Sequence, residues 1–215
     1  MTQEELQQLQ ALFRIGERNP ITLRAIRKGH PAINLNFHAT DYPKVKDRWA
    51  AFAAEAGRLN AGGYNIYTCL NPIKPEFAGS AVSDKDIACR RLLLIDLDRA
   101  GDTKLPATND EIRAAMGVSC RIEERVTSLL GEAPTRIMSG NGIHLYLPLA
   151  DLPNDIRSSA MCKAVLESLA ADFDTADVKV DPLVYNASRI TKVLGTVAYK
   201  GQATDERPYR KAMVL

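Results

Sequence analysis

Arg91-Leu92-Leu93-Leu94-Ile95-Asp96-Leu97-Asp98 is the stretch whose reading decides the fold. An apolar run of this kind, ending in two carboxylates spaced i, i+2, predicts a strand buried on both faces. Strand side chains alternate, so Asp96 and Asp98 point to the same side as Leu92 and Leu94. Two like charges on one face of an interior strand repel each other and resist desolvation. A divalent cation between them removes both objections, so the stretch predicts a metal site that the rest of the chain must complete.

Composition bounds what that chain can be. Its 215 residues, 46% of them hydrophobic, suffice for one domain or two small lobes. A formal net charge of +2 is too mild to announce nucleic acid, so any basic surface must be local. Cys69, Cys89, Cys120 and Cys162 are scattered with no C-x-x-C pair. That spacing argues against a zinc ribbon or a disulfide framework and fits a reducing compartment. A polar, glutamine-rich start and the lack of any membrane-length apolar run predict a soluble, cytoplasmic protein without a membrane partner.

Working outward from the acidic strand, residues 99–107 read as a polar loop and Thr108 as the cap of a helix to about 130. Strands at 135–138 and 143–148 follow, joined by the turn Ser139-Gly140-Asn141-Gly142. A helix at 155–173, a short strand at 178–181, one helical turn at 188–192 and a strand at 197–200 complete this half. Upstream lie a helix over 3–15 and strands over 21–27 and 33–37. A helix over 41–59, capped by Thr40 or Asp41, and a strand over 64–70 come next. From residue 90 the order is strand, helix, two strands, helix, strand, which predicts an α+β layer and not a parallel doubly wound sheet.

Three other places carry possible chemistry. In Ser139-Gly140-Asn141-Gly142-Ile143-His144, turn glycines let backbone N–H groups approach an anion, and Ser139 and Asn141 add donors. The plainer reading is a hairpin turn followed by a hydrogen-bonded histidine. Asp181, before Pro182, reads as a turn starter unless its strand lies beside Asp96 and Asp98. Arg189, Lys192 and Lys200 are spaced among apolar residues, which suits a solvated face or, just past a third carboxylate, a triphosphate.

Together these pieces resemble the archaeo-eukaryotic primase superfamily, in particular its bacterial, plasmid and phage primase–polymerase domains. That family's apolar strand ending in D-x-D is matched by Ile95-Asp96-Leu97-Asp98. Its serine–glycine turn leading to a strand histidine is matched by residues 139–146, and its apolar-Asp pair by Val180-Asp181. Ser188-Arg189, Gly195-Thr196 and Lys200-Gly201 match later segments of this branch, and Gly63-Tyr64-Asn65-Ile66-Tyr67 with Asn71-Pro72 match earlier ones. The resemblance spans roughly residues 60 to 212. Many relatives place the serine two residues before the histidine; here that position is Gly142, and Ser139 stands five before.

The resemblance implies template-directed nucleotidyl transfer, as a DNA primase or DNA polymerase on single-stranded DNA, in replication of a plasmid, phage or mobile element. Asp96, Asp98 and Asp181 would hold two Mg²⁺ or Mn²⁺ ions. His144 and the turn residues Ser139, Gly140, Asn141 and Gly142 would bind the nucleoside triphosphate. Arg189, with Lys192 or Lys200, would offset its charge. Template and primer would lie in a cleft on local basic residues such as Arg24, Arg27, Lys28, Arg90 and Arg99. The implied fold is two-lobed within one catalytic domain, residues 1–212. An N-terminal αβ lobe covers roughly 1–82 and an RNA-recognition-motif-like sheet 83–212. Residues 213–215 would begin a linker to a helicase or helical primase domain. Two rivals share some of these features: a haloacid-dehalogenase-like phosphatase, which normally has a threonine where this chain has Ala100, and a non-catalytic primase-like module that only binds nucleic acid or nucleotide.

Overall fold

The computed structural model describes all 215 residues. Its central element is β4 (Cys89–Arg99), which carries the acidic stretch. β4 is followed by α3 (Asn109–Leu130), β5 (Thr135–Met138), β6 (Ile143–Pro153), α4 (Ile156–Phe173) and β7 (Val178–Val180). All the pairings among these strands are antiparallel, in the spatial order β5-β6-β4-β7. Numbered within this unit the order is 2-3-1-4, the split βαβ arrangement of RNA-recognition-motif-like sheets. Leu93, Ile95 and Leu97 are buried, and α3 and α4 pack on β4. The other face of β4 carries Leu92, Leu94, Asp96 and Asp98.

α3 starts where its cap residues dictate. The Thr108 hydroxyl accepts from the Glu111 N–H and the Glu111 carboxylate accepts from the Thr108 N–H, a reciprocal cap at the helix N-terminus. Gly131, in the left-handed region at φ 74°, ends it, while Gly117 inside the helix does not interrupt it.

The first sheet is built from β1 (Ile21–Ile26), β2 (Ile33–Phe37) and β3 (Asn65–Cys69), with α2 (Val45–Ala61) packed against it. Its fourth strand is β8 (Ile190–Lys192), giving the order β2-β1-β3-β8. Residues 190–192 of the helical turn expected over 188–192 are therefore a strand, and the N-terminal lobe borrows an edge from the C-terminal part of the chain. α2 begins at Val45 with Lys44 at its cap, so neither Thr40 nor Asp41 caps it. α1 (Gln3–Phe13) completes the lobe, and its Phe13 lies 6.4 Å, ring centre to centre, from both Trp49 and Tyr146. Through such contacts one continuous core of 35 buried residues joins both sheets.

Near the C-terminus β9 (Val197–Ala198) pairs with β10 (Arg210–Lys211), and β11 (Met213–Val214) extends the second sheet beside β5. Residues 213–215 are therefore built into the second sheet: Met213 lies opposite Met138 and the Leu215 N–H donates to the Arg136 carbonyl. No helix is long and apolar enough to cross a membrane.

Candidate active site

Antiparallel register assembles the site. Asp96 of β4 lies directly opposite His144 of β6, and Leu97 opposite Val180 of β7. One step on, the Asp181 N–H donates to the Asp96 carbonyl at 2.9 Å. Opposed residues share a face, so His144, Asp96 and Asp181 form a row across three strands. Asp98 stands two residues further along β4.

His144, Asp96 and Asp98 border a cleft of about 440 Å³ where β4 and β6 meet the β3–β8 edge of the first sheet. Asp96, Asp98, Ser139, Asn141, His144, Arg189, Lys192 and Lys200 all line it, together with Asn65, Tyr67, Thr191 and Tyr199. Asp181 does not: its Oδ1 accepts the Leu183 N–H at 2.9 Å, as expected of an Asp opening a turn. No three His, Cys, Asp or Glu side chains are gathered closely enough to enclose a metal ion.

The electrostatics separate the two β4 carboxylates. Burial drives Asp96 toward its neutral form, but His144, Arg189 and Lys200 outweigh it and hold the carboxyl below the usual range. The His144 Nε2 lies 3.4 Å from Asp96 Oδ1. Asp98 is pushed up to about 6, by burial first and by the Asp96 charge second. At Asp98 the nearby cations do not offset burial and the Asp96 charge, and the pair's all-oxygen donors suit a hard divalent cation. The same two carboxylates, after burial, raise the Tyr67 phenol across the cleft.

The turn before His144 is tightly built. Both the Ser139 N–H and its hydroxyl donate to the Gly142 carbonyl, at 3.0 and 3.1 Å. The Gly140 N–H donates to the Met138 sulfur, and Asn141 Oδ1 accepts the Ala107 N–H at 3.0 Å. The serine and asparagine therefore brace the turn as well as face the cleft. Gly140 has φ +107°, and a Cβ there would strike Ala198. At Gly142 a Cβ would collide with the Leu97 carbonyl and stand 2.6 Å from Asp98 Oδ1. A side chain at this position, a serine included, does not fit this backbone. Gly142→Ala is expected to displace Asp98, lowering stability by about 1–3 kcal/mol. Thermal melts beside a divalent-cation titration would check this; an unchanged melting temperature would contradict the close approach.

Arg189 is positioned by its neighbour. Asp84, in a single 3₁₀ turn over Asp84–Asp86, accepts from both the N–H and the hydroxyl of Ser188, at 2.8 and 2.6 Å. Arg189 donates to the Leu183 carbonyl, while its Nε is buried without a partner. Lys192 is 4% exposed, donates to the Val197 carbonyl at 2.9 Å, and lies 5.6 Å from the Tyr67 ring centre. Burial lowers its amine to about 7. The folded protein thus releases this proton near pH 7, whereas the unfolded chain holds it to about 10.5. The unfolded state binds the extra proton between those values, so stability rises with pH across that window. Lys192→Met should stabilise the protein by on the order of 2–4 kcal/mol at pH 6 and by little near pH 10. Urea unfolding at both pH values measures the difference, and equal gains at the two would refute it.

The expected DNA contacts divide. Arg90 is 4% exposed and donates to the Tyr185 carbonyl. Arg99 is 7% exposed, paired with Glu111 at 3.0 Å and bonded to the carbonyls of Asp102 and Leu105. Both serve the interior, because a buried guanidinium must spend its donors on fixed acceptors, and neither is available to a template strand. Arg27 and Lys28 are exposed near the β1–β2 turn; Arg27 lies 5.9 Å from the Tyr64 ring centre and donates to the Gly62 carbonyl. Arg24 is half-buried and bonded to Asn34. None of these three lines the cleft. No local sequence pattern marks Asn65, Thr191 or Tyr199 as site residues. Only the pairing of β3 with β8 and the chain's return at Val197–Ala198 bring them to the cleft.

This fold, with its cleft beside the RNA-recognition-motif-like sheet, defines a class: the α+β primase–polymerase fold. No family model and no curated protein matches the chain in sequence. Among solved structures it is similar to primase RepB′, with a TM-score of 0.55 and 11% identity over 99% of this chain and 55% of that one. It is also similar to the catalytic domain of primase RepB′ in complex with initiator DNA, with a TM-score of 0.52 and 11% identity over 98% of this chain and 82% of that one. The polymerase domain of Ligase D from Mycobacterium tuberculosis, in complex with DNA, gives a TM-score of 0.56 and 14% identity over 97% of this chain and 79% of that one. These neighbours are members of the archaeo-eukaryotic primase superfamily. The chain spans about half, 55%, of the RepB′ primase chain.

Proposed function

We propose that the chain catalyses template-directed nucleotidyl transfer, as a DNA primase, a DNA polymerase or both, on single-stranded DNA. The observation that carries this reading is the placing of Asp96 and Asp98 beside His144, with Arg189 and Lys200 on the same cleft, in a primase–polymerase fold. Asp96 and Asp98, joined by Asp181, would hold Mg²⁺ or Mn²⁺. When bound, two such ions supply the Lewis acidity that activates a 3′-hydroxyl and offsets charge on departing pyrophosphate. Asp181 would join them through Oδ2, since its Oδ1 accepts the Leu183 N–H.

The remaining steps belong to the chain's own groups. His144 and Arg189 bind and orient the triphosphate, and Arg189 brings a planar guanidinium to the cleft wall. Lys200 adds positive charge beside the same phosphates. Tyr67 and Lys192 close the opposite wall and keep water from the reacting atoms. Arg27, Lys28 and Tyr64, at the rim of the first sheet, would take the template strand by charge and stacking. A helicase or helical primase domain on the same polypeptide would deliver that strand, in replication of a plasmid, phage or mobile element.

Primed and unprimed single-stranded DNA, each nucleotide set, and Mg²⁺, Mn²⁺ or chelator form the test. Products longer than the primer, lost on chelation, are expected. Hydrolysis of an aryl phosphate without any extension would favour the phosphatase reading, and nucleotide or DNA binding without turnover would favour the non-catalytic module.

A further inference from the structure

We propose that Thr191 and Tyr146 form a positioning pair that fixes the tautomer of His144, so that its Nε2–H faces the carboxylates and any phosphoryl oxygen in the cleft. Both residues are 1% exposed. Tyr146 lies two residues beyond His144 on β6 and therefore on its face. Thr191 comes from β8, the edge strand of the other sheet. The two hydroxyls are hydrogen-bonded to each other, and they lie 3.4 Å (Tyr146) and 3.3 Å (Thr191) from the His144 Nδ1.

Donor and acceptor roles follow from the chemistry of the neighbours. An ionised carboxylate only accepts, so an Asp96 oxygen 3.4 Å from Nε2 calls for the ring proton on that nitrogen. Nδ1 is then a buried lone pair, which is costly without a donor. The only groups hydrogen-bonded to Nδ1 are these two hydroxyls. A phenol is a stronger acid than an aliphatic alcohol, so Tyr146 donates to Thr191 Oγ1 and leaves the Thr191 proton for Nδ1. Each hydroxyl proton then has an acceptor. Because Thr191 and His144 sit on different sheets, docking of the two sheets itself sets the ring.

The consequence for nucleotide binding rests on the proposed function, while the tautomer stands on geometry alone. Imidazole nitrogen chemical shifts of the full chain are the direct readout, and only His30, His38 and His144 need assigning. The parent protein should show His144 protonated on Nε2. Thr191→Val removes the donor at nearly constant shape and should give a tautomer mixture. It should also raise the KM for nucleoside triphosphate about tenfold, with kcat and DNA affinity less affected. Thr191→Ser should restore both, and Tyr146→Phe should have a smaller effect because Thr191 keeps its proton. An Nδ1–H tautomer in the parent, or a folded Thr191→Val protein with the parent's tautomer and KM, would overturn the proposal. A parent protein that binds no nucleotide would instead sink the proposed function, leaving the nitrogen shifts to judge the pair.

Discussion

Asp96→Asn and Asp98→Asn are each expected to abolish nucleotide transfer, with losses of at least about a thousandfold, because each removes a charge proposed to hold the divalent ions. Both substitutions preserve shape, so the chain should fold. In the metal-free protein at neutral pH, Asp98→Asn should even raise the melting temperature. Asp98 is squeezed by burial and by Asp96 toward its neutral form, and an amide relieves that repulsion. Asp181→Asn should also stop the reaction, since the amide keeps the contact to the Leu183 N–H but loses the charge. Primer extension beside circular dichroism separates these effects. Extension at the parent's rate by Asp96→Asn or Asp98→Asn would refute the metal site.

His144→Ala and Arg189→Ala should slow the reaction without removing the carboxylates. A well-placed donor to a charged group contributes about 2–4 kcal/mol to transition-state stabilisation, so kcat/KM should fall roughly 30- to 1000-fold. Arg189→Lys should recover only part of this, because an ammonium cannot present two parallel donors to one phosphate. Neither variant should weaken single-stranded DNA binding measured without nucleotide, which is proposed to rest on exposed cations and aromatic rings such as Arg27, Lys28 and Tyr64. Fluorescence anisotropy of a labelled strand checks that half of the prediction. A parallel loss of DNA affinity would place His144 or Arg189 on the template path.

The chain's acidic strand was legible because its pattern is one-dimensional. Alternation along Leu92–Asp98 sets which side chains share a face, and the Ser139–Gly142 turn sets which strand pairs back to bring His144 opposite Asp96. Thr108 and Glu111 likewise mark the start of α3 by local hydrogen bonds. What could not be read depends on distant partners. Ile190-Thr191-Lys192 is too short to show a period, and it becomes a strand because β3 offers it an edge. Arg90 and Arg99 look like free cations until the Tyr185 carbonyl and Glu111 are seen beside them. Met213 and Val214 find their place through β5, some 75 residues upstream. The reason for glycine at 142 was also hidden, since it lies in the approach of Leu97 and Asp98 from the neighbouring strand.

Anomalous diffraction from crystals grown with Mn²⁺ and a non-hydrolysable nucleoside triphosphate tests the central claim most directly. Manganese peaks should lie between the Asp96 and Asp98 carboxylates, with the Asp181 carboxylate joining them and the triphosphate held by His144 and Arg189. Triphosphate bound elsewhere, or manganese absent from Asp96 and Asp98 while the nucleotide is present, would contradict the account.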